Sequence, residues 1–261
     1  MDLITDILFY KYQLFLLIFV RVSGIFVFSP LFSSQNVPNS LKLGFSFFLS
    51  ILLTTTLNID YLSSLETNYV ILIIKELMIG LIIGYVSYAF FSAFYVLGQI
   101  VDMEIGFGMV NVIDPQNKIQ VPVMGNFYYI FAFLIFLIVN GHHIVIKALI
   151  DSYELVPIGR FYFNESITYK MIEILGKTFS IGFRISSPIV VIMLLIDILL
   201  GVLSRTIPQM NVFVVGMPLK IIVGLLIIAV SIPVFYGLSG KVFDEMIEDI
   251  YFILKSFVKG W

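Results

Sequence analysis

The chain has 261 residues, 60% of them hydrophobic and 12% charged, with mean hydropathy +1.05 and a formal net charge of -2. Soluble domains carry about 45–50% apolar and about 25% charged residues, so this composition excludes an ordinary soluble domain and describes a chain embedded in lipid or in a lipid-embedded assembly. The charge balance offers no footprint for nucleic acid, and the absence of cysteine removes disulfides and thiolate metal sites.

Residues 14–32 are long enough to span a bilayer, which takes about 20 apolar residues. The stretch is too long for a signal-peptide core, no positive cluster precedes it and no small-residue cleavage site follows. Arg21 lies inside it. An arginine at mid-depth costs at least ~2.5 kcal/mol when exposed to hydrocarbon, so a partner on a neighbouring helix is the preferred reading over a transport role. Ser29-Pro30, the polar run 33–36 and Pro38 predict a loop, and a second helix is expected over 41–57. After the polar, acidic stretch 58–68, residues 69–101 are apolar almost throughout. As one helix they would measure about 50 Å, against about 30 Å of hydrocarbon. Lys75-Glu76 sits near the start, and Gly80, Gly84, Ser87, Ala89, Ser92 and Ala93 predict close helix–helix packing.

The connection 98–122 is unusual. It holds Asp102, Glu104 and Asp114, several glycines, and Pro115 and Pro122, yet keeps Ile105, Phe107, Met109, Val110, Val112 and Ile113. Apolar but irregular backbone cannot face lipid, where its N–H and C=O groups would go unpaired, so it is expected to be covered by protein or to line a cavity. A fourth helix is predicted over 124–151, with Asn140-Gly141-His142-His143 inside it. Adjacent histidines diverge by about 100° on a helix and do not share a metal; interior hydrogen bonding or a helix-end position is expected for them.

The run 156–160 breaks the chain again, and 164–177 reads as a polar, helix-competent connection. A fifth apolar segment, 178–203, contains Arg184, Pro188 and Asp197, and a sixth, 212–238, contains Pro218, Lys220 and Pro233. With the turn 204–211 between them they form a predicted helical hairpin. The tail 241–261 is amphipathic and suited to a membrane surface, a partner or its own bundle. Six spans place both ends on one side, and the lysine and arginine bias (Arg160, Lys170, Lys177, Lys241, Lys255 and Lys259 against Lys42, Lys118 and Arg205) puts that side in the cytoplasm. No phosphate-binding loop, nucleophile elbow or metal-binding helix motif is present, Gly106-Phe107-Gly108 lacks a dinucleotide context, and Asp102 and Glu104 are spaced for opposite sides of a helix. No enzymatic role and no cofactor are expected.

Taken in order, Arg21-Val22-Ser23-Gly24 with Ser29-Pro30-Leu31-Phe32, Gly98-Gln99-Ile100-Val101-Asp102, Gly106-Phe107-Gly108, Asp114-Pro115-Gln116, Val121-Pro122-Val123-Met124-Gly125, Asn140-Gly141-His142-His143, and Pro208-Gln209-Met210-Asn211 with Gly216-Met217-Pro218-Leu219-Lys220 resemble the FliR/SctT family of type III export gate subunits. The resemblance runs along nearly the whole chain, and the Asp-Pro-Gln element is closer to the flagellar branch than to the injectisome. It implies an all-α membrane subunit with about six apolar helical segments. A FliP-like part would cover 1–177, a FliQ-like hairpin 178–238 and an amphipathic C-terminal helix 239–261. It implies FliP, FliQ and FlhB as partners, unfolded export substrates in transit, contact with membrane lipid, and a place in the bacterial inner membrane at the flagellar basal body. A pore plug carries over onto about 106–122, with Gly106, Phe107, Gly108, Met109, Val110, Ile113, Asp114, Pro115, Gln116 and Pro122; Asn117-Lys118 departs from the small residues usual there. Arg21, Asp102, Glu104, His142, His143 and Asp197 are expected as buried structural polar groups, and Pro208, Gln209, Asn211, Pro218 and Lys220 as the hairpin turn. The alternatives are an injectisome gate subunit, a scaffold without a pore-lining role, and a small-solute transporter using Arg21, Arg184 and Asp197, against which the segments show no clear inverted repeat.

Overall fold

Long apolar runs at helical spacing leave the backbone one way to satisfy its own polar groups in an apolar setting, and the chain takes it. The computed structural model describes residues 2–30, 37–56, 68–109, 122–207, 209 and 211–258, and these are all-α. The helices are α1 (Asp2–Phe28), α2 (Asn39–Thr56), α3 (Tyr69–Ile105), α4 (Val123–Ile138), α5 (Gly141–Leu155), α6 (Glu165–Thr206) and α7 (Val212–Ser256), with one turn of 3₁₀ helix at Phe107–Met109.

Each of the expected apolar segments is helical, but their bounds differ from the sequence reading. Among the described residues, four stretches, within α1, α3, α6 and α7, are long and apolar enough to cross a membrane, or five if α4 and α5 are counted as one bent span. The predicted fourth helix is broken at Val139–Asn140, where Asn140 adopts a left-handed backbone conformation (φ 56°) before α5 starts. The stretch 164–177 is no separate connection: it is the first part of α6, a continuous 42-residue helix. The tail likewise continues α7 to 45 residues. At 1.5 Å per residue these helices measure about 63 and 68 Å, twice a hydrocarbon core. Residues 177/178 and 238/239, where the sequence reading divides the chain, therefore lie inside unbroken helices. Pro188 sits inside α6 and offers no N–H to the Arg184 carbonyl; the Ser187 hydroxyl donates to that carbonyl instead, at 2.8 Å.

The chain forms two compact units. One consists of Met1–Ala89, Asn140–Ile174 and Asp244–Trp261. Here α1 crosses α3 at a spacing set by small residues: a Cβ on Gly80 would stand 2.1 Å from the Arg21 carbonyl oxygen, and one on Gly84 2.9 Å from that of Ile25. The C-terminal turns of α7 dock on this unit's own helices. Tyr251 donates to Asp151 Oδ2 at 2.5 Å, Lys170 meets Asp249 at 3.2 Å, and the buried Phe257 ring lies 4.8 Å from Phe161. Of the three roles open to the tail in the sequence, the structure shows packing on its own bundle.

The other unit consists of Phe90–Val139 and Leu175–Phe243. Its core is aromatic. Phe91 meets Phe136 edge-on at 5.1 Å, Phe136 meets Phe243 at 5.0 Å, and Tyr128 meets Phe235 at 5.1 Å.

Candidate functional site

The connection singled out in the sequence lies in the second unit, and the structure shows how its two ends are held. α4 begins at Val123 after Pro122, and Pro122 has no side chain able to cap the helix. Its first free N–H groups are met from α3: both carboxylate oxygens of Asp102 accept from the Met124 amide at 3.0 Å, and Oδ2 also accepts from Gly125 at 3.2 Å. The carboxylate thus satisfies orphan donors and places negative charge at the positive end of the helix. The approach requires glycine at position 98, because a Cβ there would stand 2.3 Å from the Met124 carbonyl oxygen. Between these fixed points the chain leaves α3 through Gly106, whose φ of 95° suits glycine, and enters the 3₁₀ turn. Asp102 is buried, while Glu104, two residues on, is half-buried. Gly106, Phe107, Gly108 and Met109 are placed just outside the clamp and Pro122 just before its far side. Val110, Ile113, Asp114, Pro115 and Gln116 lie outside the described residues.

Beside the clamp is a groove of about 670 Å³ with mostly apolar walls. Ile105, Gly106 and Gly108 form one side; Leu200, Val212 and Met217 lie on the hairpin side. Its polar feature is an ion pair between the hairpin arms, Lys220 Nζ to Asp197 Oδ1 at 2.5 Å. Asp197 was expected buried, but its side chain keeps 45% of its exposure in this chain. Pro218 and Lys220 were expected in the hairpin turn and instead lie inside α7, whose first residue is Val212. Of the expected turn, Gln209 and Asn211 lie between the two helices and Pro208 is outside the described residues.

The first unit holds a second polar centre, fully buried. Arg21 Nε donates to Glu76 Oε2 at 2.6 Å, with neither side chain exposed. Its remaining donors reach the Ser152 carbonyl (2.9 Å) and hydroxyl (3.1 Å) and the Val156 carbonyl (3.0 Å), and its guanidinium lies 4.1 Å from the Tyr153 ring centroid. Glu76 Oε1 accepts from the Gly159 amide at 3.3 Å, and Lys75 donates to the Gly159 carbonyl at 3.1 Å. One cluster therefore fastens the backbone from Ser152 to Gly159 onto α1 and α3. Glu76 and Ser152 were not among the expected site residues. The signal for Glu76 was present, as an acid inside an apolar run; Ser152 gave none. The two histidines do not belong to this cluster. Of the two placements expected for them, the structure shows the helix end: they stand at the start of α5, His142 half-buried and His143 exposed rather than buried, with ring centroids 4.1 Å apart.

The model of the family described as bacterial export proteins, family 1, matches residues 12–246. The chain is 36% identical over 237 residues to the flagellar biosynthetic protein FliR of Bacillus subtilis (strain 168), covering 90% of this chain and 92% of that protein. It is 26% identical to FliR of Escherichia coli (strain K12), with 87% of each chain covered. The surface presentation of antigens protein SpaR of Shigella sonnei is 27% identical, over 84% of this chain and 85% of that protein.

Proposed function

This chain belongs to the bacterial export proteins of family 1, and on that premise we propose that it is a pore-forming component of the flagellar type III protein export gate. The observation that carries the reading is the similarity to FliR proteins over about nine-tenths of both chains. The apolar helices support a place in a membrane-embedded apparatus, which we assign to the bacterial inner membrane at the flagellar basal body. Its role there is structural and passive rather than enzymatic.

In this reading the chain assembles with FliP, FliQ and FlhB, and unfolded flagellar substrates pass through a pore it helps to line. The hairpin of α6 and α7, over about 178–238, takes the FliQ-like part, and 1–177 the FliP-like part. The connection 106–122 is the plug. Asp102 and Gly98 support this role because they fix both ends of the connection, so that its apolar residues are presented from a rigid base. Phe107, Met109, Val110 and Ile113 exclude water from the closed pore by packing.

Two measurements test the proposal. Purification in mild detergent should bring down FliP and FliQ with the chain; a stable homo-oligomer alone would argue for a transporter. Deleting residues 106–115 in an assembled gate should make membranes leak small ions, and tight membranes with assembly intact would refute the plug. The likeness to SpaR supports a second reading, an injectisome gate subunit. Loss of flagellar filaments on deletion of the gene decides for the flagellar one.

A further inference from the structure

Arg184 is the one charged residue between Lys177 and Asp197 on α6. It is exposed, and among the described residues its guanidinium has no ion pair or hydrogen bond. The other described acids of the second unit stand elsewhere. Asp102 caps α4, Asp197 is paired with Lys220, and Glu104 lies on α3 seven residues, about 10 Å, beyond Leu97 at the level of Arg184. A lone cation on an apolar helix calls for an anion to meet it.

Beside Arg184 is a cavity of about 70 Å³, walled entirely by residues of this unit. Arg184, Pro188 and Val234 form an exposed rim, and Leu97, Tyr128 and Phe235 a buried floor. Tyr128 is 3% exposed, and its hydroxyl lies by that of Ser231 without a well-directed hydrogen bond to any described group. Ser231 donates its own proton to the Ile228 carbonyl at 2.8 Å. Buried hydroxyls are almost always bonded, so an orphan of this kind marks the place of a missing partner. The cavity therefore offers donors, the guanidinium fork and the Tyr128 O–H, and lacks an acceptor.

Water would serve Tyr128 but leave the charge of Arg184 unanswered. A carboxylate serves both, because it only accepts hydrogen bonds and its two oxygens match the guanidinium fork. The volume, that of about two or three waters, admits a carboxylate and is too small for a phosphodiester headgroup. The surface around the rim is apolar, with Phe183, Val230 and Val234 all exposed. A free anion would lose its hydration there, whereas an acid carried on an apolar helix brings its own cover.

We infer that this cavity receives an aspartate or glutamate from a helix of a neighbouring subunit, its carboxylate on Arg184 and accepting from Tyr128. The inference rests on the assembly proposed for this chain and adds a docking point to it.

The test uses the full chain in native membranes. Arg184→Lys keeps the charge and places an amine at the rim; the apolar reagent dicyclohexylcarbodiimide then couples that amine to any carboxylate in contact with it. The linked peptide should carry an acid of another subunit. Coupling to Glu104 or Asp114 of the same chain, or no coupling at position 184, would overturn the inference. After purification in mild detergent, Arg184→Ala should lower the amount of neighbouring subunits retained at least tenfold, and Tyr128→Phe about threefold to tenfold. Neither change should lower the melting temperature of the separated chain, in which the two groups have no partner to lose. Equal retention by wild type and Arg184→Ala would overturn this inference alone. A wild-type chain that retains no neighbouring subunit would refute the assembly reading and this inference with it.

Discussion

Replacing Glu76 by alanine leaves the Arg21 guanidinium buried with only neutral acceptors, Ser152 and Val156, around it. Both partners are fully buried and 2.6 Å apart. At an effective dielectric of about 20, two unit charges 4 Å apart attract by about 4 kcal/mol, and removing one partner of a buried pair costs about 3–5 kcal/mol. The neutral acceptors keep the loss near the lower end, about 3 kcal/mol, which in a chain of this size lowers the melting temperature by about 6–12 °C. The Gly159 amide loses its acceptor as well, so hydrogen exchange should quicken there first. The double variant Arg21→Met, Glu76→Leu removes both charges and should recover much of the loss. It should still fall short of wild type by about 1–3 kcal/mol, because the Val156 carbonyl loses the partner that Arg21 supplies. Melting of the full-length chain in mild detergent reads all three proteins. A Glu76→Ala variant within about 0.5 kcal/mol of wild type, well inside the surface-substitution range, would refute the reasoning.

Asp102→Ala removes the cap of α4 and should cost about 0.5–2 kcal/mol, with faster exchange at the Met124 and Gly125 amides, which Asp102 now holds; unchanged exchange there would mean the clamp is not what fixes the loop. Gly98→Ala should cost about 1–3 kcal/mol by overpacking, since the new Cβ would meet the Met124 carbonyl and the Gly125 Cα. Gly108→Ala, where a Cβ meets nothing within 4 Å, should melt like wild type. Exchanging the charges of the hairpin pair, Asp197→Lys with Lys220→Asp, should leave stability within about 1 kcal/mol of wild type, as for other solvent-reached pairs; single reversals that impair export but are rescued by the exchange would assign the pair to function.

Much of the candidate site was readable from residue types. The segment 98–122 declared itself because apolar residues, glycines and prolines together cannot face lipid, and Arg21 because a lone charge in an apolar helix requires a partner. Its partner was not readable. Glu76 shows as an acid in an apolar run, but it is 55 positions away, and nothing in the pattern pairs it with Arg21 rather than with its own neighbour Lys75. Asp102 was readable as a buried acid but not as a cap, since its donors lie 22 and 23 residues on and belong to a helix whose own first residues give no capping signal.

By itself the sequence determined that the chain is helical, apolar and embedded, and its motifs carried the family. Those properties follow from composition and short-range order. Tertiary structure alone decided where helices end and which charges meet. A polar stretch such as 164–177 continues a helix when its neighbours supply packing, and a long helix breaks at Asn140 where the backbone turns left-handed. It also decided that α2 turns Ser46 and Ser50 inward and Phe48 outward. Periodicity records that a helix has two faces; the medium around each face decides which one is turned away from the core.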